Sequence, residues 1–193
     1  MNKKKIVNLK NLPRKKIAWG ICGASHLLLE SINTIKSLVQ NGYYLDIFFS
    51  RAGKEVTIMF HQLSILENLH NTSKENINLI FSDNQGWSYP ICGKFSQNAY
   101  DILIISPTTA NTAAKIKYKI ADTLITNIVS QSLKGKTPII IIPTDYKVGK
   151  CKTVAIGNRE IEIYIHKSDV KIARSLNKIK GITVISHPNL LIF

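Results

Sequence analysis

Apolar residues along the chain form short continuous runs, which alternate with longer segments where they recur every three or four positions. The short runs predict buried β-strands, and the longer periodicity predicts amphipathic helices. Strands are predicted over 17–21, 43–50, 100–106, 137–145, 160–166 and 182–186. Helices are predicted over 28–39, 52–70, 111–135 and 168–181, and the second and third of these segments have room for two helices each. Residues 71–100, rich in Asn, Ser, Gly and Pro, are predicted to be irregular.

This order of elements predicts the fold class. The strands are apolar throughout rather than alternating, which is typical of strands buried on both faces. Strands that alternate with helices favour a parallel sheet with helices on either side. The sequence therefore predicts an α/β protein with three layers and a doubly wound, mostly parallel, Rossmann-like sheet. Residues 1–16 are interpreted as a basic N-terminal extension and residues 17–193 as one domain.

Composition narrows the class of protein. The chain has 193 residues, of which 45% are hydrophobic and 20% charged, a globular composition. No apolar run approaches the roughly 20 residues that cross a bilayer, and no signal peptide is recognised, so we expect no membrane association and a cytoplasmic location. Three cysteines lie far apart, without the close spacing of zinc or iron–sulfur ligands, so no metal site is expected.

The chain carries a strong positive charge, with 26 Lys and Arg against 12 acidic residues and a formal net charge of +14. Such a field favours acidic partners and speeds their encounter. The candidates are nucleic acid, an acidic protein or an anionic cofactor. Nucleic acid is disfavoured, because most lysines are dispersed and no DNA- or RNA-binding motif is recognised.

Small and hydroxylated residues follow three of the predicted strands. They are Gly23, Ala24 and Ser25 after the first strand, Ser50 and Arg51 after the second, and Pro107, Thr108, Thr109, Ala110, Asn111 and Thr112 after the third. In open α/β sheets ligands bind beyond the carboxyl ends of the strands. A helix N-terminus there offers free N–H groups to a phosphate, although the same residues can simply cap their helices. The nucleotide-binding loops G-x-x-x-x-G-K-[ST] and G-x-G-x-x-G are not matched, which favours a ligand with one phosphate over a dinucleotide.

The same residues carry a resemblance to a known family. "GAS" after the first strand, a Ser at the end of the second and "SPTTANTAAKIKYKIADTL" resemble the FMN-binding flavoprotein superfamily of homo-oligomeric flavin-containing cysteine decarboxylases. The usual motif reads Pro-Ala-(Ser/Thr)-Ala-Asn-Thr, and here Thr108 replaces the Ala, while Lys119 replaces a later Gly. "FFSRAGKEV" and "IADTLITNIVSQSLKGKTPIIIIPTD" look most like the archaeal flavoproteins of this superfamily, described as FMN carriers that accept electrons from ferredoxin. A sister group reduces dihydromethanopterin.

The resemblance implies an FMN-binding domain over residues 17–193 that works in electron transfer as an oxidoreductase. Residues 23–25 and Ser50 would hold the FMN phosphate, and residues 107–112 would wrap the flavin. His26 and Trp87 or Tyr89 could lie near the ring and control access to it, or the aromatic residues could simply pack at the surface. Ferredoxin or a similar acidic protein is the expected donor, and a small molecule or protein, possibly a dihydropterin, the expected acceptor. A homo-oligomer is also implied. Asp122 would face a neighbouring subunit or serve only the structure, and no residue is assigned a catalytic role.

Three alternatives stay open. A cysteine decarboxylase is disfavoured, because the expected Pro-x-Met-Asn-x-x-Met-Trp segment is replaced by "PTDYKVGKCKT", and His61 lacks a matching motif for the catalytic histidine. A flavin prenyltransferase shares the "GAS" loop but otherwise matches less well. A basic nucleic-acid-binding protein would be colourless and would bind polyanions in a salt-sensitive way.

Overall fold

A computed structural model describes residues 5–86, 88–157 and 159–193. Its strands are β1 Val7–Asn8, β2 Lys16–Ile21, β3 Tyr44–Phe49, β4 Ile77–Phe81, β5 Ile102–Thr108, β6 Ile139–Pro143, β7 Gly149–Ala155, β8 Arg159–Ile165, β9 Ile182–Val184 and β10 Leu191–Ile192. Its α-helices are α1 Leu28–Gln40, α2 Arg51–Met59, α3 Leu63–Thr72, α4 Gly93–Ser96, α5 Ala110–Lys117, α6 Leu124–Lys134 and α7 Lys167–Ser175.

The central sheet of the described chain has six strands in the order β4-β3-β2-β5-β6-β9, and all its pairings are parallel. Strands β3 and β4 extend the sheet to one side of β2, whereas β5, β6 and β9 extend it to the other. The strand order therefore reverses between β2 and β5, and ligands bind at such a point in folds of this class. The predicted α/β class with a parallel, doubly wound sheet is confirmed.

Helices cover both faces of this sheet and bury its side chains. On one face Ile17, Trp19 and Ile21 of β2 pack under α1, α2 and α3. On the other face Phe48 and Ile105 pack under α4, α5 and α6. Because both faces are covered, the central strands need apolar residues at every position, which explains the continuous runs in the sequence.

Several buried polar groups at the two ends of the central strands are paired. The indole Nε1 of Trp19 donates to the carbonyl oxygen of Ser106 at 2.8 Å, and the hydroxyl groups of Ser106 and Ser31 lie 2.8 Å apart. These bonds fix the last part of β5 against β2 and α1. At the opposite end of the sheet, the carboxylate of Asp101 accepts the N–H groups of Arg14 and Lys16 at 2.9 and 3.0 Å.

Several parts of the chain differ from the sequence prediction, and β7 in particular was not predicted as a strand. Residues 71–100 were predicted to be irregular, but they contain β4, which pairs with β3. The strand predicted at 160–166 forms as β8, but it pairs antiparallel with β7 in a separate two-stranded hairpin. Strand β4 lies at the edge of the sheet and is only partly buried, so its apolar signal is short. Strand β8 has mostly exposed side chains, which is typical of a hairpin outside the core.

The described part of the predicted N-terminal extension lies against the domain. Val7 and Asn8 pair with Leu191 and Ile192, and Leu9 is fully buried in the core. Strand β2 begins at Lys16. Among the described residues, no helix has the length and apolar character required to cross a bilayer.

Candidate functional site

A cavity of about 660 Å³ opens at the carboxyl ends of four adjacent strands, β4, β3, β2 and β5. Most of its wall comes from the loop after β2 and from the capping and first residues of three helices. These residues are Gly23; Ser50, Arg51 and Ala52 of α2; Thr109, Asn111 and Thr112 of α5; and Thr123, Leu124 and Ile125 of α6. Glu55, Ser82, Asp83, Tyr89 and Lys115 complete the wall. The volume lies within the usual range for small-molecule sites, about 300–1,000 Å³.

The N-termini of α2, α5 and α6 converge on this cavity, and each is capped by a hydroxyl group. The Ser50 hydroxyl accepts the N–H of Gly53 at 2.9 Å, the Thr109 hydroxyl that of Thr112 at 3.2 Å, and the Thr123 hydroxyl that of Thr126 at 3.2 Å. Each cap satisfies one of the four N–H groups that a helix leaves without an intrahelical partner. The partial positive charges of three helix N-termini therefore add at one place, and they favour an anionic ligand.

Two glycines allow the loop after β2 and the start of α2 to approach closely. A Cβ atom placed on Gly23 would lie 2.5 Å from the Cβ of Ala52. A Cβ placed on Gly53 would lie 2.2 Å from the carbonyl oxygen of Ile21. Neither distance is compatible with a side chain, so this wall of the cavity depends on both glycines.

Charged side chains at the rim are partly neutralised. Asp83 lies 3.3 Å from the Lys54 ammonium group and 3.4 Å from the Arg51 guanidinium group. Hydrogen bonding from Lys54, supported by Arg51, lowers the pKa of Asp83. Asp122 lies 2.6 Å from the Lys115 ammonium group, and this hydrogen bond lowers the pKa of Asp122. Asp122 is thus paired within its own chain, with its side chain half exposed.

Pro107 and Thr108 were predicted to lie in the loop around the ligand, but they form the end of β5 and are not part of the cavity wall. Thr108 is fully buried, and its hydroxyl donates to the carbonyl oxygen of Ile105 at 2.8 Å. The carbonyl oxygen of Pro107 accepts the N–H of Cys22 at 3.2 Å. Burial raises the pKa of the Cys22 thiol to about 11, so this thiol is held in its neutral form beneath α5.

Other predicted residues lie beside the cavity. Ala24 and Ala110 are partly buried next to its wall. The Ser25 hydroxyl lies 3.5 Å from that of Thr153, in the β7–β8 hairpin. The hairpin also brings Cys151 close to His26.

The His26 Nε2 atom lies 3.8 Å from the Cys151 sulfur, and burial lowers the pKa of His26. Val56, Phe60, Ile161 and other residues line a second groove of about 440 Å³ between the hairpin and α2. The two cavities share Gly23.

The structure therefore brings six predicted residues into one wall: Gly23, Ser50, Arg51, Thr109, Asn111 and Thr112. Tyr89 lines the same cavity, whereas Trp87 lies outside the described residues. His61 is exposed in the turn between α2 and α3. The contribution of α6 to the cavity wall was not predicted, although Thr123, which directly precedes an apolar helix, is a typical N-cap residue. No cluster of three or more His, Cys, Asp or Glu that could hold a metal ion occurs in the part of the chain that the structure describes.

Comparisons with known proteins bear on the family and the fold of this chain. The Flavoprotein family model matches residues 6–192. An uncharacterized protein of Methanocaldococcus jannaschii is 38% identical over 176 residues, 90% of each chain. A dihydromethanopterin reductase (acceptor) of the same organism is 42% identical over 136 residues, 69% of this chain. That alignment spans only 55% of the reductase, and a Methanosarcina mazei reductase shows the same 55% coverage at 39% identity.

Solved structures share the fold. Burkholderia xenovorans DmrB in complex with FMN, described as a cubic protein cage for redox transfer, superimposes with a TM-score of 0.71 at 24% identity. That superposition covers 90% of this chain and 89% of DmrB. A dodecameric FMN-dependent UbiX-like decarboxylase from Escherichia coli O157:H7 gives a TM-score of 0.62 at 13% identity, over 89% of this chain and 79% of that protein. By the match over nearly its whole length, and in agreement with the sequence prediction, this chain belongs to the Flavoprotein family.

Proposed function

We propose that this chain binds FMN in the 660 Å³ cavity and acts as a redox protein. It would accept electrons from an acidic protein such as ferredoxin and pass them to a small-molecule or protein acceptor, with a dihydropterin as the first candidate. The observation that carries the proposal is the convergence of three capped helix N-termini on one cavity in a chain of the Flavoprotein family. The relatives named dihydromethanopterin reductase support a pterin acceptor.

The cavity has suitable surfaces for two parts of FMN, its phosphate and its flat ring. The phosphate is an anion, and the helix N-termini at Ser50, Thr109 and Thr123 supply N–H donors and positive potential for it. Apolar wall is available for a flat ring at Ala52, Leu124 and other residues. The bound flavin would supply the electron chemistry, while the protein binds it, orients it and sets its electrostatic surroundings.

Charges at the rim serve binding rather than chemistry in this proposal. Arg51 and Lys115 balance part of the negative charge of a phosphate, and Asp83 and Asp122 hold these cations in place. The net charge of +14 favours arrival of an acidic donor, because complementary charge raises encounter rates more than affinity.

We also propose that the protein works as a homo-oligomer. Two large apolar side chains, Tyr118 and Ile120, are 68% and 49% exposed in the connection between α5 and α6, next to the cavity wall. Exposed apolar groups beside a site are typical of a contact surface. The names of DmrB and of the dodecameric decarboxylase describe assemblies of the same fold. Light scattering of the purified protein tests the point, and a monomer at micromolar concentration refutes it.

An absorption spectrum of the freshly purified protein, with mass analysis of any released ligand, tests the central claim. Yellow protein that releases FMN supports it, and a colourless protein that also refuses added FMN refutes it. The acceptor is tested separately, by adding a dihydropterin to the reduced protein under anaerobic conditions. Reoxidation of the flavin with formation of the tetrahydropterin is the expected result. Turnover of a prenyl phosphate or a cysteine-containing peptide instead would assign the site to group transfer or decarboxylation.

A further inference from the structure

Helix α7 and the turn after it carry a row of cations along one side. Lys167, Lys171, Arg174 and Lys178 are spaced by four, three and four residues, which places them on one face of a helix. All four are exposed, whereas Val170 and Ala173 on the other side of α7 are buried. Residues 167–180 contain five Lys or Arg and one acidic residue, Asp169. We call Lys167, Lys171, Arg174 and Lys178 the cationic row.

The cationic row is not neutralised within the chain. Among the residues that the structure describes, none of its members forms a salt bridge. By contrast, Lys150 and Lys152 on the neighbouring hairpin each pair with a glutamate at 2.7 Å. Like charges one helical turn apart repel each other and destabilise the helix. A partner that presents carboxylates would relieve this repulsion.

The row lies one helix away from the cofactor cavity. Helix α7 and the turn Leu176–Lys178 pack against α5, whose first residues line the cavity. Helix α5 has eight residues and therefore spans about 12 Å. A protein docked on the row would therefore sit close to the candidate flavin site.

Contacts within the chain hold one member of the cationic row, Arg174, in position. The Arg174 guanidinium group donates two hydrogen bonds to the carbonyl oxygen of Tyr146, at 2.9 and 3.2 Å. It also lies 5.0 Å from the centre of the Tyr146 ring. These contacts hold the cation in one position, so less side-chain freedom is lost when a partner binds.

We propose that the cationic row is the docking surface for an acidic electron-donor protein, an inference that rests on the proposed redox function. A protein partner is favoured over a membrane surface, because the apolar side of α7 is buried against the domain and cannot enter a bilayer. Complementary charge on the donor would steer it towards this face, which is one helix away from the candidate flavin site.

The test compares two triple variants of the FMN-loaded protein with equal net charge. The first replaces three members of the row, K167E, K171E and K178E. The second replaces three exposed lysines elsewhere that form no salt bridge among the described residues, K10E, K74E and K134E. Each Lys→Glu change lowers the charge by two, so both triples fall from +14 to +8. Reduction of the flavin by an acidic ferredoxin is followed by stopped flow at ionic strengths from about 0.01 to 0.3 M.

We expect the row triple to be reduced about 10-fold or more slowly at low ionic strength and to lose its salt dependence, while the control triple changes about 2-fold at most. Both should be reduced at the parental rate by photoreduced deazaflavin, a small non-protein reductant, which shows that fold and flavin are intact. Equal slowing of the two triples, or no slowing of the row triple, overturns the inference. The inference is also overturned if the row triple is reduced by ferredoxin at the parental rate but no longer binds an RNA oligonucleotide. Failure of the parental protein to bind FMN would instead overturn the proposed function itself.

Discussion

Replacing Gly53 by alanine tests whether the close packing of α2 on β2 builds the cavity wall. Gly53 is in the first turn of α2, three residues after the capping Ser50. An added Cβ would lie 2.2 Å from the carbonyl oxygen of Ile21 and 3.0 Å from the Ser50 hydroxyl. The Ile21 oxygen belongs to the backbone of a central strand and cannot rotate away. The start of α2 must therefore shift away from the sheet.

Two opposing effects set the magnitude. Alanine is favoured over glycine in a helix by up to about 1 kcal/mol. Inserting a methyl group into a filled space costs about 1–3 kcal/mol. Because the contact here is with backbone, we expect the clash to dominate and G53A to lose about 1–2 kcal/mol of unfolding free energy. For a chain of this size, about 2–4 °C in Tm corresponds to each kcal/mol, so Tm should fall by roughly 2–8 °C.

The assay is thermal unfolding of the flavin-free and FMN-saturated protein, together with FMN titration. The matched control is G93A in α4, where an added Cβ meets no atom within 4 Å, so its stability should be unchanged or slightly higher. G53A should also bind FMN more weakly, because the N-terminus of α2 lines the cavity. A G53A protein as stable as the parent, with unchanged FMN affinity, would refute the reasoning.

Three further predictions concern buried groups. Replacing Trp19 by Phe leaves its carbonyl acceptor in β5 without a buried donor, so urea unfolding should show a loss of about 1–3 kcal/mol. Burial opposes ionisation of Asp101, but hydrogen bonds from backbone N–H groups and a guanidinium lower its pKa. Its stabilising effect is therefore present above the unfolded pKa, about 3.9, and is lost as the pH falls through the folded pKa. D101N should accordingly be less stable than the parent at neutral pH, and the difference should shrink below about pH 4; a difference independent of pH would contradict this. Iodoacetamide should label Cys151 before Cys22 and Cys92, because the latter two thiols are buried and their pKa values are raised to about 11; mass analysis of digested peptides gives the order.

The sequence predicted the fold class because the central strands are buried on both faces. Strand β6, Ile139–Pro143, is buried at every position. Its run of four β-branched isoleucines that ends in a proline is typical of a core strand. Strand β4 was missed because the edge of a sheet needs fewer apolar residues, and its neighbours are turn-forming. Strand β8 has alternating charged and apolar residues that signal a strand, but this pattern does not reveal its partner. Its partner β7 directly precedes it in a local hairpin, and the short turn between them, which contains Gly157 with a positive φ, was not recognised as a hairpin signal.

Prediction of the candidate site had a similar limit. Residues directly after a strand, such as Ser50 and Thr109, were predicted because position in the chain implies position at the sheet edge. Thr123 follows no strand and reaches the cavity only because the segment 118–123 turns the chain back between α5 and α6. Asp83 and Tyr89 come from the region predicted to be irregular. Their place in the wall depends on the packing of that region, which composition does not specify.

The hydroxylated residues at the strand ends could serve as helix caps or as ligand-binding groups. The structure is compatible with both roles at once. Ser50 and Thr109 each use one hydroxyl to satisfy a single N–H group of the helix that they begin. A helix has four such groups, so a cap leaves others for a ligand while it fixes the direction of the helix axis. Helices α2 and α5 begin at this edge because they follow β3 and β5, and α6 reaches it through the segment 118–123. The caps thus fix the first turns of three helices whose N-termini lie at one cavity, and the positive potential there favours an anionic ligand.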